Sequence, residues 1–130
     1  MLRRITIRSF ALIDAIDLEI GPGMTVLLGE TGAGKSIIID ALAAALGERL
    51  PSDSLRTGAR KAVLEASFDI TGSDALRQIL VANDLLWDSD ELVVRRELTA
   101  SGTSRCFVND TPVQVGIVRA ISEHLLDVHG

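Results

Sequence analysis

The chain is poor in the residues that make small secreted or metal-bound folds. It has one cysteine, Cys106, which excludes an internal disulfide and suits a reducing compartment. Cys106 lies in an apolar, strand-like stretch and reads as a buried small hydrophobe, not as a nucleophile or metal ligand. Its two histidines, His124 and His129, have no Cys or Glu at ligand spacing, which excludes a zinc site; His124 reads as a helix-surface residue. Aromatics make up only 3% of the residues. Trp87, alone behind Leu85-Leu86, reads as a core or interface anchor, because a base-stacking platform needs neighbouring rings. Long apolar runs are missing as well. Arg8 and Asp14 interrupt the opening segment, so neither a signal peptide nor a transmembrane helix is expected, no membrane partner follows, and the expected location is cytoplasmic. Nor is positive charge in excess: 13 basic against 18 acidic residues give a net charge of −5. A compact domain wrapped around nucleic acid is usually basic, so charge alone does not mark a DNA-binding module. Arg3, Arg4, Arg8, Arg60 and Lys61 make a basic patch only if their strands are neighbours; a scattered, solvated surface is the favoured reading. No internal repeat or low-complexity segment occurs.

What the chain does contain is Gly29-Glu30-Thr31-Gly32-Ala33-Gly34-Lys35-Ser36. This fits G-x-x-x-x-G-K-[ST], the Walker A phosphate loop. The chemistry needs these residue types. Gly29, Gly32 and Gly34 accept positive φ and put no side chain between the backbone amides and an anion. The N–H groups of this stretch, through Glu30, Thr31, Ala33 and on to Ile37, can then wrap a triphosphate at the positive end of the following helix. Lys35 brings a full charge to the β- and γ-phosphates and is the expected catalytic residue. The Ser36 hydroxyl can complete the shell of Mg²⁺. The motif demands a strand before it and a helix after it. Met24-Thr25-Val26-Leu27-Leu28 is a short apolar run of strand character. Ile37 to Leu46 is an apolar, alanine-rich helix ending at Gly47, a C′ residue.

Taken in order, Leu2 to Phe10 alternates, with Ile5 and Ile7 on one face and Arg4, Thr6 and Arg8 on the other. Residues 10–14 are expected to turn, and Ile16, Leu18 and Ile20 to form a second strand. Gly21-Pro22-Gly23 is a turn. Residues 47–58 read as loop and short irregular helix, broken by Pro51, Ser52, Asp53 and Ser54. Residues 62–70 form a half-exposed strand and residues 73–83 a helix capped by Ser73. Residues 91–98 and 104–109 form a hairpin around a loop at 99–103, with Arg95 and Arg96 on opposite faces. Residues 109–112 read as a turn, and 113–128 as an amphipathic helix. This is not the alternating βαβα rhythm of a small-molecule kinase or GTPase.

Several stretches together resemble a family. Ile7-Arg8-Ser9-Phe10, Gly21-Pro22-Gly23-Met24-Thr25-Val26, the phosphate loop and Asp40-Ala41 are similar to the amino-terminal lobe of SMC-type ABC ATPase heads. Within these, Ser9-Phe10-Ala11-Leu12-Ile13-Asp14, Leu55-Arg56-Thr57-Gly58-Ala59, Arg95-Arg96-Glu97-Leu98, Ser104-Arg105, Val108-Asn109 and the closing Asp127-Val128-His129-Gly130 resemble the RecN family of bacterial double-strand-break repair proteins. The resemblance implies an α/β P-loop NTPase fold, with mixed and antiparallel strands around a phosphate-loop helix. It implies that residues 1–130 are one lobe, because no heptad stretch, signature motif or Asp-Glu strand end is present, and the family's Q-loop glutamine would follow Gly130. It implies ATP and Mg²⁺ as cofactors, DNA as a partner (double-stranded ends or single strands, through the full-length protein), homodimerisation by head–head engagement, and a nucleoid-associated location. It implies that ATP binding and hydrolysis drive head engagement and DNA holding, and that Arg56 approaches nucleotide or DNA. Ala11 departs from the basic residue that many such heads carry there. The residues alone leave two other functions open: a different P-loop ATPase or kinase, or a non-catalytic interaction module.

Overall fold

The computed structural model describes residues 1–20, 33–50, 54–85 and 89–129, with side chains omitted for 33–36 and 126–129. The expected strand at 24–28, Gly29 to Gly32 of the phosphate loop, and Trp87 lie outside the described residues.

Among the described residues, six strands form one sheet: β1 (Leu2–Phe10), β2 (Ile13–Glu19), β3 (Lys61–Asp69), β4 (Glu91–Thr99), β5 (Ser104–Val108) and β6 (Thr111–Val113). Their order is β2-β1-β3-β4-β5-β6, and every pairing among the described residues is antiparallel. Period-two alternation makes this sheet two-faced. Ile5 and Ile7 of β1, Leu64 and Ala66 of β3, Val94 and Arg96 of β4, and Cys106 and Val108 of β5 are opposed in register and buried. The other face carries Thr6, Glu65, Arg95 and Phe107 in one row, with Asp17 beyond Thr6. An antiparallel sheet can leave one polar face in water because its hairpin connections need not cross that face.

Among the described residues, three helices cover the apolar face. Helix α1 (Ala33–Ala45) lays Ala41, Ala44 and Ala45 against Ile5, Ile7 and Leu64. Alanine is the best helix former, and its small side chain lets the helix axis sit close to the strands. Helices α2 (Asp74–Ala82) and α3 (Val115–His129) cover the rest of the face. Leu76, Leu80, Val118, Ile121 and Leu125 pack there with Phe68, Leu92, Val94 and Val108. Leu76 and Leu80, and equally Val118, Ile121 and Leu125, recur at helical spacing, so each helix turns one stripe inward.

The structure differs from the sequence expectations at three joints. The first turn is shorter: β2 begins at Ile13, opposite Phe10, so only Ala11 and Leu12 connect the strands. Ser9 and Ala11 reach this with φ of 55° and 51°, which non-glycine residues seldom adopt. The turn expected at 109–112 contracts to Asn109-Asp110, with φ of 48° and 66°, as a type I′ hairpin requires. Thr111 and Pro112 then belong to β6, and proline is tolerated there because β6 is an edge strand. No helix forms among the described residues of 47–58; Leu55 instead bridges Phe10.

Candidate functional site

The site is organised by α1. Its thirteen residues start at Ala33, so the Ala33-Gly34-Lys35-Ser36 half of the phosphate motif forms its first turn. The first N–H groups of a helix lack internal acceptors, and the aligned peptides give that end a partial positive charge. This first turn contains no acidic residue to answer that charge. Lys35 adds a cation to an end already positive, an unfavourable arrangement unless an anion lies there. The donor set therefore fits a polyphosphate. Ile37, one turn in, is half-buried and packs with the β1–β3 part of the core.

The other end of α1 is tied down in detail. Glu48 N–H donates to Ala43 O (3.0 Å) and Gly47 N–H to Ala44 O (3.1 Å), the paired bonds of a Schellman cap. Gly47 has φ of 103°, as the cap demands. Arg96 of β4, only 9% exposed, reaches across to the same end. Its Nη1 donates to Ala44 O (3.0 Å) and to Glu48 O, while Nε donates to Ser104 Oγ (2.9 Å). Arg119 of α3 donates through Nε to Gly47 O (2.9 Å). Its side chain lies so close that a Cβ at position 47 would meet Arg119 Cγ at 2.8 Å. Burial pulls the Arg96 guanidinium below its usual pKa; Cys106 opposes this shift and Arg119 adds to it. Burial raises the Cys106 thiol, so it stays protonated and packs as a small apolar group.

Arg56 takes a different position from α1. It is half-buried beside the β1–β2 turn, where its N–H donates to Ser9 O (2.9 Å) and its Nη1 to Leu12 O (2.7 Å). With Ala11 N–H on Ser54 O (2.6 Å), these bonds brace the residues that hold positive φ. Arg56 thus has a structural task, and Leu12 at the tip stays 82% exposed. The basic residues of the first and third strands are interleaved with acids. Arg3 meets Asp69 (2.8 Å), Arg4 meets Asp17 (2.6 Å) and Lys61 meets Glu97 (3.5 Å). Arg3, Arg4 and Lys61 thus belong to a surface of mixed charge.

Alternation correctly separates Arg95 from Arg96. Arg95 lies on the open face, over the Phe107 ring at 4.4 Å and bonded to Asp110 (2.7 Å). That Arg96 turns inward to grip α1 was not read from the sequence. The available signal was its parity: Leu92 and Val94, at the same alternate positions, are apolar. Nothing in the pattern pointed to Arg119.

A phosphate-loop helix seated on the covered face of an antiparallel sheet defines a nucleoside-triphosphatase type of domain. Residues 4–114 match the AAA domain family, and the chain belongs to it. Among curated proteins it is similar to the DNA repair protein RecN of Xylella fastidiosa (strain Temecula1), at 46% identity over 100% of this chain and 23% of that protein. It is also similar to the DNA repair protein RecN of Vibrio cholerae serotype O1, at 38% identity with the same coverage. The RecN resemblance carried by the sequence motifs therefore extends over the whole chain, which spans about a quarter of the length of these relatives. Among solved structures, one from work on the ATP-driven dimerization and DNA-stimulated activation of SMC ATPases matches 96% of this chain and 79% of its own, with TM-score 0.71 and 20% identity. The SMC head domain from Thermotoga maritima matches 91% of this chain and 40% of its own, with TM-score 0.59 and 23% identity. At such identities the likeness is one of fold: the α/β arrangement is that of an SMC-type head.

Proposed function

We propose that this chain is the nucleotide-binding amino-terminal lobe of an SMC-like ATPase that acts in DNA double-strand-break repair. The observation that carries the reading is the first turn of α1, a positive helix end with Lys35 and no carboxylate. Gly29, Glu30, Thr31, Gly32, Ala33, Gly34 and Ile37 would wrap the phosphates with backbone amides, Lys35 would neutralise them, and Ser36 would hold Mg²⁺. The bound ion would supply charge neutralisation across the β- and γ-phosphates. Arg56, at the braced turn, would lie close to nucleotide or DNA. Head–head engagement of two copies, DNA holding and a nucleoid location belong to the full-length protein, and the RecN and SMC likenesses support them.

Hydrolysis requires a residue that orients the attacking water, and no strand among the described residues ends in Asp-Glu to supply it. The isolated chain should therefore bind nucleotide weakly and turn it over little or not at all. Calorimetry with Mg²⁺-ATP on the full-length protein tests the reading. Binding heat is expected from the native protein and none from Lys35→Ala. Equal heats would remove the phosphate-loop assignment, and ATPase-level turnover by the isolated chain would remove the lobe assignment.

A further inference from the structure

Two arginines from different elements converge on the last turn of α1, the end opposite the phosphate motif. We propose that Arg96 and Arg119 form a positioning pair that fixes the angle of the phosphate-loop helix, and thereby nucleotide affinity, an inference that rests on the nucleotide-binding reading above.

The argument starts from what the two side chains hold. Arg96 comes from β4 and bonds Ala44 O, Glu48 O and, on β5, Ser104 Oγ. Arg119 comes from α3 and bonds Gly47 O. The carbonyls of Ala44 and Glu48 are thus tied to the middle of the sheet, and that of Gly47 to a second helix. The Schellman cap already satisfies the usual orphan carbonyls of Ala43 and Ala44. The arginines therefore add constraint beyond what ending the helix requires. A guanidinium is planar, with donors in a fixed fork, so it sets direction as well as distance. Burying such a charge is also a poor route to stability, since apolar side chains of similar volume often do as well or better. Its merit here is geometric.

The length of α1 makes that geometry matter. A helix of this size is about 20 Å long, so a tilt of about 5° at one end displaces the other by about 1.7 Å. Binding constellations tolerate about 0.5 Å. The clamped end therefore decides how the first turn meets the phosphates. Gly47 belongs to the same device, because its missing Cβ leaves room for Arg119 to lie across the cap.

The test uses the full-length protein. Arg119 is exposed, so Arg119→Ala should fold, and its melting temperature should stay within about 2 °C of the native value. In the nucleotide-free protein, amide hydrogen exchange of residues 37–40, whose N–H groups donate to the carbonyls of the first turn, should accelerate in Arg119→Ala. Mg²⁺-ATP affinity by calorimetry should fall about fivefold, at the low end of coupling between separated sites. Arg119→Lys should recover part of both effects. Arg96→Lys, which keeps the charge and loses the fork, should act in the same direction. The proposal is overturned if exchange quickens only around residues 43–48, or if affinity is unchanged in both Arg119→Ala and Arg96→Lys. Should the native protein give no binding heat, the nucleotide reading fails, and the exchange experiment still decides whether the pair controls the first turn.

Discussion

Asp69, at the end of β3, shows how one residue carries local order. Its Oδ1 accepts from the Thr71 hydroxyl and from Thr71 N–H (2.9 Å), and Oδ2 lies 2.8 Å from Arg3 Nη2. The Thr71 hydroxyl, then Arg3, then the Thr71 amide hold the carboxyl well below the usual carboxylate range. A folded-state pKa below the unfolded one stabilises the fold above about pH 3.9, and this contribution is lost as pH falls through the folded value. Asp69→Asn should therefore lower the melting temperature at neutral pH and flatten its decline between about pH 5 and 2. Parallel acid limbs in the two proteins would contradict this. Gly47 gives a second case. Its φ of 103° disfavours any side chain, so Gly47→Ala should cost about 1–2 kcal/mol in urea denaturation. The sequence already marked Gly47 as a C′ residue, but the arginine lying over it came from 72 positions away.

At the scale of elements, the Asn109-Asp110 hairpin separates two roles of a turn. Both residues hold positive φ, which glycine adopts more easily. Asn109 Oδ1 also accepts from Val93 N–H (2.9 Å), whereas Asp110 extends to Arg95 through a carboxylate that is 84% exposed. Exposed ion pairs contribute little, so Asp110→Gly should be neutral or stabilising by up to about 0.5 kcal/mol. Asn109→Gly should destabilise by about 1 kcal/mol because it strands the Val93 amide. Chemical denaturation of the two variants checks the order; a reversed order would refute it. The sequence pattern marked this stretch as a turn through its Asn, Asp and Pro but overran the turn by two residues. Proline usually breaks a strand, and only the edge location of β6 makes Pro112 acceptable. On α2, Leu80 is fully buried and Val81 is 56% exposed. Leu80→Ala should cost about 2–5 kcal/mol, and Val81→Ala should stay within about 0.5 kcal/mol.

At the scale of the whole molecule, the sheet divides its labour between two faces. Among the described residues, one face carries helices α1, α2 and α3, and the other presents interleaved charges to water. The phosphate motif thus starts from a helix supported along its length by the core and held at its far end. A ligand that binds only the native state stabilises it by mass action. Mg²⁺-ATP at about a hundred times Kd should therefore stabilise the full-length protein by about 2.7 kcal/mol, seen as a higher melting temperature. Lys35→Ala should show no such rise; an equal rise would place the nucleotide elsewhere.

Local chemistry was enough to read most of the elements and to nominate the phosphate loop. Alternation marked β1 and β3, helical spacing marked α2 and α3, and glycine spacing before Lys35-Ser36 marked the phosphate loop. Each is a pattern within about a dozen neighbouring residues, where backbone geometry acts directly on the side chains. Folding alone decided the strand order, the burial of Arg96 and the meeting of Arg96 with Arg119 at the end of α1. Arg96 and Arg119 reach α1 across 52 and 72 residues of chain. Contacts at that separation depend on how the sheet is threaded and registered, and no local periodicity records that.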